Sequence, residues 1–155
     1  MQNPTRQIHR LLSEKRKTLA IAESCTGGLV SHLITRNPGS SRYFLCGVVA
    51  YSNRAKELFL KMPHRLIAKK GAVSGEVALG MAVNIRKLIK ADFGIAITGI
   101  AGPTGATPHK PTGTVFIALS SKKQNLCRKF IFRGSRSEVK KRAALKSLEL
   151  LKGIV

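Results

Sequence analysis

The stretch Ala22-Glu-Ser-Cys-Thr-Gly-Gly28, which follows the apolar run Leu19-Ala-Ile-Ala22, decides both the fold and the candidate chemistry of this chain. An apolar run that leads into a polar, glycine-ending segment predicts a strand, a tight turn and a helix start. The first N–H groups of a helix lack partners within the helix and carry the positive end of its dipole, so they stabilise a phosphate or a developing oxyanion. Ser24 is therefore a candidate nucleophile. The alternative is that Ser24 or Thr26 only caps the helix while the glycines form a turn.

A second loop, Thr98-Gly-Ile-Ala-Gly-Pro-Thr-Gly105, follows the predicted strand 93–98. Ligands of open α/β sheets bind beyond the carboxyl ends of the strands, so the two loops share one edge if strands 17–22 and 93–98 are parallel neighbours. The loop matches neither the dinucleotide-binding fingerprint nor a P-loop. Its glycines allow a close approach of backbone to a ligand, and the alternative is a turn-rich connection.

Tyr51 and Lys56 could activate a serine hydroxyl. A neutral Lys56 would accept the proton of Ser24, and Tyr51 would hold or relay it. Because the pKa of a free lysine is roughly 10.4, burial or nearby positive charge has to lower it. The alternative places Tyr51 as a half-buried strand aromatic and Lys56 as a solvated helix residue. Cys25 is a rival nucleophile, because a helix N-terminus lowers the pKa of a thiol, or else a small packing residue.

The remaining motifs are weaker. The four histidines are scattered without the spacing of metal ligands, and we expect neither a metal nor a cofactor. Ser137-Glu-Val-Lys140 has the S-x-x-K spacing of penicillin-binding enzymes, but the other motifs of those enzymes are missing downstream. We therefore treat that match as coincidental.

Hydrophobic periodicity predicts the secondary structure. Strands are expected at 17–22, 44–51, 93–98, 114–120 and 126–132. Helices are expected at 4–16, 26–36 and 74–90, and another begins at about residue 52 and is interrupted at Pro63. The last helix is expected to begin at a capping box of Ser135 and Glu138 and to end at about residue 152. Continuous apolar strands with helices between the early ones predict a sheet covered on both faces. The expected fold is a single three-layer α/β/α domain, residues 1–155, with a mixed, mostly parallel sheet of about five strands.

Composition restricts the class of protein. A length of 155 residues with 43% hydrophobic content suits one globular domain with a proper core. We find no apolar stretch near the roughly 20 residues that span a bilayer, and no apolar core of a signal peptide. Three widely separated cysteines offer no disulfide framework, so a cytoplasmic location is expected.

The charge is the unusual feature of the composition. Lys and Arg number 28 against 7 acidic residues, which gives a net charge of +21 and predicts an anionic partner such as nucleic acid, a phosphorylated metabolite or a membrane surface. The basic clusters are short and are not interleaved with aromatic residues as in single-strand binders. We therefore expect a generally basic surface that binds nucleic acid only by nonspecific electrostatics, and no membrane.

Segments spread over about residues 5–152 carry a family resemblance. They are Ala22-Glu-Ser-Cys-Thr-Gly-Gly28, Pro38-Gly-Ser-Ser41, Tyr51-Ser52 with Lys56, Gly71-Ala-Val-Ser74, Asp92, Thr98-Gly-Ile-Ala-Gly-Pro103 and Pro111-Thr-Gly-Thr-Val115. Taken in this order, they resemble the CinA C-terminal domain family, whose active members are nicotinamide-nucleotide amidases.

The resemblance implies a three-layer α/β/α fold and hydrolysis of the carboxamide of nicotinamide mononucleotide to nicotinate mononucleotide and ammonia. It implies the catalytic residues Ser24, Tyr51 and Lys56, with Ser24 as the nucleophile and helix N–H groups holding the oxyanion. The implied substrate-binding residues are Cys25, Thr26, Gly27, Gly28, Thr98, Gly99, Gly102 and Arg136, the last of these for the phosphate. The partner would be a small phosphorylated nucleotide, and we expect a homo-oligomer, with a dimer favoured.

Two departures from the family pattern stand out. Ser135 replaces a residue that is often acidic or an amide. The N-terminal domain that full-length CinA proteins carry does not precede these motifs in the sequence, so we expect a stand-alone form. Two other hypotheses stay open, namely a non-catalytic nucleotide-binding or regulatory domain of the same fold, and a basic nucleic-acid-associated protein.

Overall fold

The computed structural model describes residues 4–155. Along the chain the elements are α1 (Pro4–Glu14), β1 (Leu19–Glu23), α2 (Leu29–Thr35), a 3-10 turn (Ser40–Arg42), β2 (Phe44–Val49), α3 (Asn53–Leu60), α4 (His64–Lys70), α5 (Gly75–Ile89), β3 (Phe93–Gly99), β4 (Thr114–Ser121), β5 (Asn125–Ile131) and α6 (Arg136–Lys152). None of the helices within residues 4–155 is long and apolar enough to cross a membrane.

The strands form one mixed sheet in the order β2-β1-β3-β4-β5. β1 pairs in parallel with both β2 and β3, whereas β3–β4 and β4–β5 are antiparallel pairs. The predicted three-layer domain with a mixed five-stranded sheet, parallel strands first and a hairpin last, is confirmed. Because Glu23 at the end of β1 lies opposite Ile97 of β3, the loops that follow these two strands leave the same edge of the sheet.

The two faces of the sheet carry side chains of different size. One face packs large residues against α1, α2 and α6, among them Leu19, Ile21, Ile95, Ile97, Ile117 and Leu119. The other face packs Ala20, Ala22, Ala96 and Ala118 against α3, α4 and α5. Alternation along each strand separates the two sets, since successive side chains point to opposite faces. The small residues let α5 lie close to the sheet, and a Cβ at Gly94 would meet the carbonyl oxygen of Ala82 in α5.

Every predicted strand and helix corresponds to an element of the structure. Serine side chains cap three helices: Ser52 caps α3, Ser74 caps α5 and Ser135 caps α6. The predicted capping box of Ser135 and Glu138 is present in full. The predicted helix that Pro63 interrupts consists of α3 and α4, with Pro63 immediately before α4.

β2 departs from the expectation of a sheet covered on both faces. It lies at the edge of the sheet, and its burial alternates along the strand, with Leu45 and Val49 about half exposed. The apolar sequence of β2 therefore includes residues that the rest of the chain does not cover.

Candidate active site

A cavity of about 340 Å³ opens at the carboxyl ends of β1 and β3. Its walls are Ser24 and Cys25 after β1, Tyr51 after β2, Lys56 of α3, the loop that follows β3, and Arg136 at the start of α6. The two loops that the sequence placed at one sheet edge do converge here, as the parallel pairing of β1 and β3 requires.

Strand alternation sets the direction of the two residues at the end of β1. The N–H of Ser24 donates to the carbonyl of Ile97 at 2.9 Å, so the ladder continues one residue beyond the strand. Ser24 thereby follows Ala20 and Ala22 toward α3, while Glu23 follows Leu19 and Ile21 toward α2. This places the Ser24 hydroxyl beside Lys56 of α3.

Lys56 is 1% exposed, and its ammonium nitrogen has three oxygen neighbours. Nζ lies 3.1 Å from Ser24 Oγ and donates to the carbonyl oxygens of Ala50 at 2.8 Å and Tyr51 at 3.2 Å. A carbonyl oxygen can only accept, and a neutral amine has two N–H groups and one lone pair. When Lys56 is neutral, the two carbonyls take its N–H groups and its lone pair faces the Ser24 hydroxyl, which is the geometry of a general base.

Burial sets the protonation states of Lys56 and Cys25. Desolvation lowers the pKa of Lys56 from its ordinary value, against a smaller opposing electrostatic effect of Cys25. Desolvation also raises the pKa of Cys25 to about 12, and the weaker influence of its own backbone N–H and of the nearby cations does not offset this. Cys25 is therefore a protonated thiol at neutral pH, so the arrangement favours Ser24 over its rival as the nucleophile.

The expected use of the helix N–H groups is wrong, because Glu23 occupies them. The Glu23 carboxylate is fully buried and accepts from the N–H groups of Gly28, Val30 and Ser31 and from the Ser31 hydroxyl, at 2.8–3.1 Å. The N–H of Gly27 donates to Ser24 O. Within residues 4–155, no acceptor oxygen receives the N–H of Cys25, which lines the cavity, so this turn amide is the donor left for an oxyanion next to Ser24.

Tyr51 is connected to Lys56 through its backbone rather than its phenol. Its side chain is 59% exposed, and its hydroxyl accepts from the Arg136 guanidinium at 2.8 Å. Arg136 also donates to the carbonyl of Gly102 at 2.8 Å. The predicted proton relay through the Tyr51 hydroxyl is not formed in this structure, which instead places Arg136 between Tyr51 and the loop after β3.

The predicted substrate-binding residues divide into two groups. Cys25, Thr98, Gly99, Gly102 and Arg136 line the cavity. Thr26, Gly27 and Gly28 do not line it.

The residues outside the cavity shape the turn. Thr26 is fully buried, and its hydroxyl has no hydrogen-bond partner in the part of the chain that the structure describes. Gly27 and Gly28 have positive φ angles of 60° and 95°, which glycine adopts without strain. Thr98 is buried as well, and its hydroxyl donates to Ala72 O at 2.8 Å, which ties the cavity wall to the segment before α5.

Sequence reasoning missed two charged residues near the site. Strand alternation could have identified Glu23 as a residue that points toward the following helix. Lys140 follows Arg136 by four residues on α6, so the two share a helix face. Its Nζ lies 3.4 Å from the position that a Cβ at Gly27 would take, so a cation stands behind the Ser24 turn.

No group of three or more His, Cys, Asp or Glu side chains within residues 4–155 could hold a metal ion. The groups that converge on the cavity are the Ser24 hydroxyl, the Lys56 amine, the Cys25 thiol and the Arg136 guanidinium. Such a set suits nucleophilic attack on an acyl carbon in an anionic substrate.

Comparison with known proteins identifies relatives along the whole chain. The family model of the CinA C-terminal domain matches residues 1–155. A CinA-like protein of Desulfotalea psychrophila is 48% identical over 145 residues, which cover 94% of this chain and 35% of that protein. A putative competence-damage inducible protein of Thermoanaerobacter pseudethanolicus is 46% identical over 145 residues, with the same coverage. The chain thus spans about a third of the length of the curated relatives it matches.

The fold also matches crystal structures. The competence damage-inducible protein A from Klebsiella pneumoniae superposes with a TM-score of 0.93 at 31% identity, covering 97% of this chain and 93% of that one. A competence-damaged protein (CinA) superfamily protein from Escherichia coli gives a TM-score of 0.94 at 31% identity, covering 99% and 89%.

Proposed function

Since this chain belongs to the CinA C-terminal domain family, we propose that it hydrolyses the carboxamide of nicotinamide mononucleotide to nicotinate mononucleotide and ammonia. The observation that carries the proposal is the contact of 3.1 Å between the buried Lys56 amine and the Ser24 hydroxyl. The substrate follows from the family resemblance in the sequence. A cavity that offers Arg136 to a phosphate supports it.

In the first half of the reaction, Ser24 Oγ attacks the carboxamide carbon and Lys56 Nζ accepts the hydroxyl proton. The negative charge that develops on the carbonyl oxygen is stabilised by the N–H of Cys25 rather than by the first turn of α2. The carbon–nitrogen bond then breaks, and Lys56 returns the proton to the leaving nitrogen, so that ammonia leaves and Ser24 carries the nicotinyl ester.

In the second half, water attacks the ester carbon and Lys56 accepts a proton from it. The ester bond breaks, the proton returns to Ser24 Oγ, and nicotinate mononucleotide leaves. Arg136 holds the phosphate through both steps, and Tyr51 positions Arg136 through the hydrogen bond at 2.8 Å. Every proton transfer in this scheme uses Lys56 Nζ.

The proposal is tested by ammonia release from nicotinamide mononucleotide, with the Ser24→Ala variant as the control. We expect turnover by the native chain, unchanged by a metal chelator, and no turnover by Ser24→Ala. Thermal shift with the same compound measures binding separately. Binding by both proteins with turnover by neither would contradict the amidase and favour the non-catalytic nucleotide-binding domain.

A further inference from the structure

A second cavity lies on the opposite layer, away from Ser24, where α1, α2 and α6 meet. It has a volume of about 440 Å³ and is lined by Pro4, Thr5 and Arg6 of α1, Leu33 of α2 with Arg36 and Asn37 after it, and Lys141 and Leu145 of α6. That volume falls within the range of roughly 300–1,000 Å³ that small-molecule pockets occupy. Leu33 and Leu145 are half-buried and give the cavity an apolar wall, whereas its three cations are exposed.

The three cations of this cavity have no anionic partner in the protein. Arg6, Arg36 and Lys141 come from three different helices or helix ends, and none of them forms an ion pair within residues 4–155. Like charges gathered around one concavity repel each other, so this arrangement carries an electrostatic cost unless an anion binds there.

None of the seven acidic residues lines the cavity, and each of them has a partner elsewhere in the structure. Their partners are Arg10 for Glu14, the start of α2 for Glu23, His64 for Glu57, Lys70 for Glu76, Lys17 and Thr18 for Asp92, Ser135 for Glu138, and Lys146 for Glu149. Neutralisation of the three cations therefore has to come from outside the chain.

The position of Arg6 adds a second argument. α1 begins at Pro4 and has no acidic residue in its first turn, so no carboxylate of that turn offsets the positive end of its dipole beside the cavity. A cation in the first turn of a helix is unfavourable, whereas an anion there is stabilised. Helix end and side chains favour the same kind of ligand.

We infer that this cavity binds a small organic phosphate, with the phosphate between Arg6, Arg36 and Lys141 and the carbon skeleton against Leu33 and Leu145. Arginine and lysine bind phosphate oxygens through charge-assisted hydrogen bonds. The apolar wall favours an organic phosphate over inorganic phosphate, because only the organic molecule has a carbon skeleton that can cover Leu33 and Leu145. The inference is independent of the amidase proposal, because it uses none of the residues around Ser24.

The test is a titration of the full chain, labelled at its leucine and valine methyl groups, with AMP as the probe. Methyl signals of Leu33 and Leu145 report on this cavity, and those of Val73 report on the Ser24 cavity. We expect AMP to shift the leucine signals to saturation, and the double variant Arg36→Gln/Lys141→Gln to bind at least about tenfold more weakly there. The matched control is Arg54→Gln/Lys87→Gln, which removes one arginine and one lysine that are exposed on the other layer and should leave the affinity unchanged.

Four results would overturn the inference. The first is an absence of saturable shifts at Leu33 and Leu145. The second is equal weakening by both double variants, which would mean that only net charge matters. The third is inorganic phosphate binding as tightly as AMP, because the apolar wall would then contribute nothing. The fourth is a ten-residue thymidine oligonucleotide that shifts the same leucines at concentrations at least about tenfold lower than AMP, which would assign the surface to nucleic acid.

Discussion

At the scale of single residues, the chemistry of the candidate site depends on what surrounds one amine. Lys56 is buried against two carbonyl oxygens and one hydroxyl, and desolvation lowers its pKa. A charged ammonium would be stabilised by all three oxygens, whereas only the neutral amine can accept a proton from Ser24. The proposed reaction therefore depends on the burial that opposes the charged form.

We predict that Lys56→Arg loses turnover as completely as Lys56→Ala, by at least about a hundredfold in kcat. Arginine keeps the positive charge but does not release its proton at accessible pH. In the native protein, kcat should rise with pH through the lowered pKa of Lys56, because the neutral fraction of the amine grows there. Substantial turnover by Lys56→Arg, or a kcat that rises only above a pH of roughly 10, would contradict this role. Lys56 would then be an electrostatic anchor instead of the base.

We also predict that Cys25→Ala keeps most of the turnover that Ser24→Ala abolishes. Burial raises the pKa of Cys25 to about 12, so its thiol stays protonated at neutral pH. In the proposed scheme Cys25 contributes its backbone N–H, which alanine retains. The measurement is ammonia release by the two variants side by side, and the opposite pattern of losses would assign the nucleophile to Cys25.

Tyr51→Phe separates the two roles considered for Tyr51. Since the hydroxyl binds Arg136 and not Lys56, its removal should raise KM for nicotinamide mononucleotide several-fold and leave kcat nearly unchanged. Arg136→Gln should give the same pattern more strongly. Steady-state kinetics that show kcat falling with an unchanged KM in Tyr51→Phe would restore the proton relay that the sequence predicted.

At the scale of elements, the close contact between β3 and α5 depends on one small residue. We predict that Gly94→Ala lowers the free energy of unfolding by at least about 2 kcal/mol. Its Cβ would meet the Ala82 carbonyl and lie 2.8 Å from Arg86 Cβ, and both atoms belong to a packed helix that cannot move freely. In thermal unfolding, this corresponds to a decrease in Tm of roughly 4–8 °C for a chain of this length.

Gly75→Ala is the matched control for this variant, since it makes the same change in α5, the helix against which Gly94 packs. A Cβ at Gly75 would lie 3.6 Å from the Phe116 ring, which is ordinary van der Waals contact. Its stability should match that of the native chain, or slightly exceed it because alanine favours the helix more than glycine does. Equal stabilities of the two variants would show that α5 can move away from β3.

The elements themselves were predictable because each carries its own local signal. Apolar runs predicted β1 and β3, Ser74 predicted the start of α5, and Ser135 with Glu138 predicted the start of α6. The shared edge of the two loops followed from the parallel pairing that this pattern implies. Apart from that pairing, these features depend on residues close together in the sequence.

The structure differs from the sequence-based expectation at three points. The contact of Glu23 with the start of α2 is local, and strand alternation could have indicated it. The other two points depend on elements that are distant in the sequence. Tyr51 binds a residue 85 positions away, and motif spacing contains no information about such a partner. The exposure of β2 likewise depends on the strand order, which places it at an edge.

At the scale of the whole molecule, the dominant property is the excess of positive charge. The chain has 28 basic and 7 acidic side chains, and its ion pairs within residues 4–155 lie mostly at the surface, where each contributes little. Charge of one sign destabilises the compact state through self-repulsion. This repulsion has a longer range than the ion pairs, so salt affects it first.

We therefore predict that Tm rises when NaCl is increased from about 0.01 M to about 0.5 M, because the screening length falls from roughly 30 Å to a few ångströms. KCl should act equally, since screening does not depend on the identity of the cation. The variant Arg54→Gln/Lys87→Gln, which removes two exposed charges, should begin with a higher Tm at low salt and gain less on salt addition. A Tm that falls with salt in the native chain would mean that the acidic residues and their partners contribute more to stability than the repulsion among the remaining cations takes away.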